Sequence, residues 1–182
     1  MNLDIFTLII ILGLTDFLQM LAILFLYANN RKEKGISYWV YGFASVAVGF
    51  LLLILREYIK IDFVSIILAN TLLNLGAMLI YIGILRFFRS RENRILIGIL
   101  FFLFMISFVY FTYINIDINM RTNITSLIIV IFSYLSAHAL LTKKTKYVAS
   151  TAGYLAILFI AHGSFYIFRI IINFSPILKE NE

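Results

Sequence analysis

Long apolar stretches recur from one end of this chain to the other, and they set the terms for any fold it can adopt. Each is 18 or more residues long, enough to cross a hydrocarbon core of roughly 30 Å at about 1.5 Å per residue. Six candidate spans can be placed: Ile5 to Tyr27, Ile36 to Leu55, Phe63 to Leu85, Ile95 to Ile114, Ile124 to Leu141 and Val148 to Ile172. A transmembrane barrel would show strands of about ten residues alternating apolar and polar. Stretches such as Ile5 to Leu14 are instead apolar on every side, so helices are the expected spans.

Composition agrees: 63% hydrophobic residues, 13% charged residues and a mean hydropathy of +1.00 exclude a water-soluble domain of 182 residues. The expected fold class is all-α, a polytopic transmembrane bundle of about six helices, with residues 1–176 forming the domain and 177–182 a short polar tail. No connection is long enough to fold by itself as a soluble domain. The first span lacks the basic leading segment and small-residue cleavage site of a signal peptide, and is expected to stay in the mature protein.

Basic residues flanking spans are retained on the cytoplasmic side, and here they are distributed unevenly. Arg31, Lys32 and Lys34 follow the first span, Arg86, Arg89, Arg91 and Arg94 the third, and Lys143, Lys144 and Lys146 the fifth; together they are ten of fifteen basic residues. The opposite face holds Arg56, Lys60, Arg121 and Lys179. This alternation predicts a multi-pass protein of the cytoplasmic membrane with its N-terminus extracytoplasmic and the basic connections inside. These connections are tight loops at anionic headgroups, with no room for the folded basic surface that nucleic acid requires; the lipid bilayer is the expected partner, and nucleic acid is not.

Aromatic residues near the boundaries, Tyr27, Tyr38, Trp39 and Tyr41 on one side and Tyr58, Tyr110 and Tyr113 on the other, read as an interfacial belt. There is no cysteine, which removes disulfides, thiolate metal sites and cysteine nucleophiles. The two histidines lie on different spans and no acidic pair has metal-ligand spacing. No phosphate loop, serine elbow or zinc helix occurs. Ser133 and Ser136 precede His138 but have no acidic orienter on that span. No enzyme activity and no cofactor are expected, although His138 and His162 are testable as haem or metal ligands.

Polar groups within the spans carry most of the functional information, because charge at the bilayer centre is costly and turns toward a bundle interior or watery cavity. Asp16 lies midway along the first span with Gln19 at i+3. Asn70 and Asn74 share a face of the third at i, i+4, near Gly76 and Gly83. The sixth carries His162, Tyr166, Arg169 and Asn173 at spacings of four, three and four, which line one helical face. Asp16 and His162 fall at similar depth. The expectation is a polar intramembrane cavity formed by Asp16, Gln19, Asn70, Asn74 and His162, with Tyr166 and Arg169 at its outer mouth. The same groups can also act as interhelical glue, and Arg56 and Arg169 can snorkel to the surface.

The first ninety residues contain an LDIFTL segment, a basic loop followed by Tyr38-Trp39 and Gly42, Gly49 with Leu55-Arg56, Ser65 with Ala69-Asn70, and Gly83 with Arg86-Phe87-Phe88. This pattern resembles the N-terminal membrane-embedded sensory region of bacterial and archaeal signalling proteins, notably GGDEF-type diguanylate cyclases and histidine kinases. The resemblance implies a bundle of about seven helices, one more than the spans read here, that passes an extracytoplasmic or intramembrane cue to a cytoplasmic signalling domain or a homodimer partner. The 182 residues include no such output domain, so cyclase or kinase activity does not carry over. A stand-alone scaffold or accessory subunit and a small-solute transporter are the alternatives.

Overall fold

A computed structural model of the chain describes residues 5–143 and 148–175. The 177–182 tail, Lys144, Lys146 and Lys179 lie outside the described residues. Six helices account for most of the rest: α1 Ile5–Asn29, α2 Ile36–Ile54, α3 Ala69–Phe87, α4 Arg94–Tyr113, α5 Ile118–Lys143 and α6 Ala149–Phe174. A one-turn 3₁₀ segment, Leu55–Glu57, closes α2, and a wide π turn, Phe63–Leu68, leads into α3. All six helical segments are long and apolar enough to cross a membrane, α3 counted with its π turn as Phe63–Phe87. The protein is therefore an all-α, multi-pass membrane protein.

Five of the six spans start within one residue of the expected position. The exception is α5, which starts at Ile118 and not at Ile124. Its first turns, Ile118 to Asn123, are too polar to register as part of an apolar run, yet Asp117 makes them helical. The Asp117 carboxylate accepts from the Met120 N–H at 3.0 Å and its carbonyl from the Arg121 N–H at 3.1 Å, the N-cap arrangement that satisfies otherwise orphaned donors. Asn93 caps α4 in the same way, accepting from the Leu96 N–H at 3.1 Å.

The chain divides into two compact units, residues 1–92 and 93–182. In the first, α2 packs against both α1 and α3. The α2–α3 contact is a seam of small residues: Gly35, Gly42 and Gly49 oppose Gly83, Gly76 and Ala69 in antiparallel order. Both rows step by seven residues, the period that keeps one stripe facing a partner helix along its whole length. Backbone meets backbone here. A Cβ on Gly42 would lie 3.2 Å from the Gly76 carbonyl, one on Gly76 would lie 2.9 Å from the Gly42 carbonyl, and one on Gly49 would lie 3.0 Å from the Ala69 carbonyl. Gly35 also has φ 104°, a conformation open to glycine at the start of α2. A side-chain bond crosses the seam, from Ser45 Oγ to the Leu72 carbonyl at 2.8 Å.

Trp39, expected in the interfacial belt, belongs to this seam. Its indole lies over Gly83, its ring is 5.5 Å from Phe87, and its Nε1 is buried without a hydrogen-bond partner. Only the absence of a Cβ at Gly83 makes room for it. Past the seam, α3 ends in a Schellman motif: the Ser90 N–H reaches the Leu85 carbonyl at 2.8 Å and Arg89 takes φ 55°. An Arg86–Glu92 ion pair then ties the following connection back to the helix, with the Glu92 side chain 7% exposed.

In the second unit α5 is the central helix, in contact with α4 and α6. Its buried face is rich in small hydroxyl and alanine residues, among them Ser126, Ser133, Ser136, Ala137 and Ala139. Phe104 and Phe108 of α4, with ring centroids 5.4 Å apart, and Phe132 of α5 are buried. Opposite α5, α6 contributes Ala152, Ala156 and Gly163. Small residues again allow close approach of helices.

Candidate functional site

The polar residues singled out in the sequence fall into two sets, Asp16, Gln19, Asn70 and Asn74 in the first unit and His162, Tyr166 and Arg169 in the second.

On α1, the half-exposed positions Ile9, Gly13, Asp16, Met20, Ile23 and Tyr27 form one stripe at helical spacing. Gly13 lies close to Phe50 and Ile54 of α2, a Cβ there being 3.2 Å from Phe50 Cβ, so the stripe is the face turned to α2. Asp16 sits in its middle, and Gln19 is exposed on its flank. Neither side chain has a hydrogen-bond or ion-pair partner among the described residues. The two asparagines of α3 bond within their own helix. Asn70 Nδ2 donates to the Ile66 carbonyl at 2.8 Å and Asn74 Nδ2 to the Asn70 carbonyl at 2.9 Å. Asn70 thereby adds a second donor to a π-turn carbonyl that already accepts from the Ala69 N–H; Ser65 Oγ likewise adds to the Ile61 carbonyl just before the turn, at 3.1 Å. Asn74 is fully buried and its Oδ1 has no partner.

The second set is joined to α5 by side chains. Ser133 Oγ and His162 Nδ1 are 2.9 Å apart, Tyr134 Oη and Ser164 Oγ are 2.9 Å apart, and Asn173 Nδ2 donates to Asn123 Oδ1 at 2.9 Å. These bonds form a ladder along the α5–α6 contact, with Gly163 in the seam between the first two; a Cβ there would lie 3.0 Å from the Tyr134 ring. On the outer side of α6, the Tyr166 ring stands edge-on to His162 with centroids 5.0 Å apart, and Arg169 Cζ lies 5.8 Å from the Tyr166 centroid. Three residues of the stripe expected from the spacing, His162, Tyr166 and Arg169, lie against one another in sequence, and Asn173 is held separately by Asn123 on α5.

Sequence reasoning had no means of finding Ser133, Tyr134, Ser164 or Asn123 as partners. Asn123 lay just outside the fifth expected span, and isolated serines and tyrosines carry no periodic signal. His138, the other histidine, is exposed on α5, and its carbonyl accepts from Thr142 Oγ1 at 2.7 Å. No group of three or more His, Cys, Asp or Glu that could hold a metal ion occurs among the described residues. No known protein family, curated protein or solved structure matches the chain.

Proposed function

We propose that this protein is a membrane-embedded signal-transduction module that passes an extracytoplasmic or intramembrane cue to a cytoplasmic output domain or partner. It sits in the cytoplasmic membrane with its N-terminus outside and its basic connections inside, and it carries out no chemistry of its own. The observation that favours this reading is the contrast between two helix contacts. In α2–α3, backbone abuts backbone at every seventh residue, a fit that a small slide would turn into clashes. In α5–α6, three side-chain hydrogen bonds cross a contact that is otherwise lined by small residues. Such bonds contribute only about 0.6 kcal/mol each inside a membrane. These polar links of α6 can be exchanged for others at little cost, which favours a helix-shift switch.

The absence of native cysteines makes a direct test available. Spin labels on introduced cysteines at Leu127 and Tyr154, both exposed, report sliding of α6 along α5. We expect the distance distribution to shift by a turn or less when Asn173→Leu removes the Asn123 bond. A single distance that ignores this substitution sinks the signalling reading and leaves a scaffold.

A further inference from the structure

His162 occupies a position that hydrocarbon cannot satisfy. It lies midway along α6 and is exposed, while its Nδ1 is held by Ser133, itself only 4% exposed. The other ring nitrogen, Nε2, has no hydrogen-bond partner among the described residues. A polar group left unpaired in an apolar medium costs a few kcal/mol. Around it the surface is apolar and aromatic: Leu158 one turn before and Phe165 one turn after are 64% and 63% exposed, and the Tyr166 ring closes one side.

The depth of the site narrows what can fill it. Ester carbonyls and headgroups of lipids lie at the edge of a hydrocarbon core roughly 30 Å thick, about 15 Å from its middle. A small-molecule partner for His162 must therefore be carried into the core by a molecule that is otherwise apolar. The chemistry of the pair narrows it further. Neutral imidazole has one donor and one acceptor nitrogen, and a hydroxyl can act as either. If Ser133 donates to Nδ1, Nε2 carries the proton and seeks a carbonyl. If Nδ1 donates to Ser133, Nε2 is a lone-pair acceptor and seeks a hydroxyl. A single rotation of the Ser133 hydroxyl, with the matching tautomer, adapts the site to either form of a carbonyl/hydroxyl pair.

We propose that His162, backed by Ser133, binds the ring of a membrane-dissolved quinone or its quinol, which enters from the bilayer between Leu158 and Phe165. The site binds either redox form and transfers no electrons. This inference deepens the signalling reading and rests on it for its meaning: the two forms impose opposite directions on the Ser133–His162 bond of the α5–α6 contact, and that difference is what would make the ratio of quinone to quinol a cue.

The test uses the full chain in lipid nanodiscs, titrated with decylubiquinone and separately with its quinol. Binding is followed by infrared difference spectroscopy of the quinone carbonyls. We expect saturable binding of both forms, with one carbonyl band shifted to lower frequency, and about a tenfold loss of affinity in His162→Ala, the worth of one well-placed hydrogen bond. His162→Gln keeps a donor and an acceptor without the relay through the ring. It should bind, yet place the two redox forms at affinities that Ser133→Ala no longer changes. Partition without saturation overturns the proposal, as does saturable binding that His162→Ala leaves intact. If the quinone binds but the α5–α6 spin-label distance never responds, the site stands and the signalling reading falls. If that distance responds to Asn173→Leu and no quinone binds, the site falls alone.

Discussion

Arg89 occupies the left-handed region at φ 55°, where a side chain costs about 1 kcal/mol relative to glycine. Most helices that end this way use glycine or asparagine. Arginine stands here in a connection that also holds Arg91, between Arg86 in the last turn of α3 and Arg94 at the start of α4, so the cation is placed against the local preference of the backbone. We expect Arg89→Gly to raise resistance to unfolding by about 1 kcal/mol in detergent or bicelles; a loss of stability would mean that the guanidinium contributes more than the strain removes. Trp39, Gly42, Gly49, Ala69 and Gly83 are residues of the α2–α3 seam. What they encode is a way for two helices to touch, which does not by itself specify a cue.

Between elements, glycine position decides the outcome of substitution. Gly76 and Gly98 are both helical, yet a Cβ on Gly76 meets Val46 and the Gly42 carbonyl, whereas nothing lies within 4 Å of one on Gly98. Gly76→Leu is expected to lose about 2 kcal/mol or more through overpacking, and Gly98→Leu to be neutral or slightly stabilising through helix propensity. Equal effects in an unfolding series would refute the seam as the organising contact of the first unit. The helices themselves were legible because apolar length alone marks a span. The α5 start was not, since its cap, Asp117, precedes two turns too polar to register as membrane. The seven-residue steps Gly35, Gly42, Gly49 and Ala69, Gly76, Gly83 stood in the sequence throughout. Their antiparallel pairing became readable only with the helices laid side by side. The α6 stripe from His162 to Asn173 was legible as a face, but its partners on α5 were not, because a hydroxyl or amide leaves no trace in periodicity until something opposes it.

For the whole molecule, the charge pattern predicts an orientation that cysteine labelling can check on a cysteine-free background. Asn30 follows α1 and Asn115 follows α4, and both are exposed. A membrane-impermeant maleimide should label Asn115→Cys in intact cells and Asn30→Cys only after permeabilisation; the reverse pattern would invert the topology. Helix length adds a second constraint. Each unit combines two long spans with one that barely crosses: α2 has 19 residues and α4 has 20, against 25 in α1, 25 in α3 counted with its π turn, and 26 in each of α5 and α6. At about 1.5 Å per residue the short pair reaches roughly 30 Å and the longest pair roughly 39 Å. Long helices adapt to a thin bilayer by tilting, whereas a short one has no slack to offer a thick one. Acyl-chain length and sterol content therefore act on α2 and α4 before any other part of the chain, and a thin membrane is the one in which this protein sits without strain.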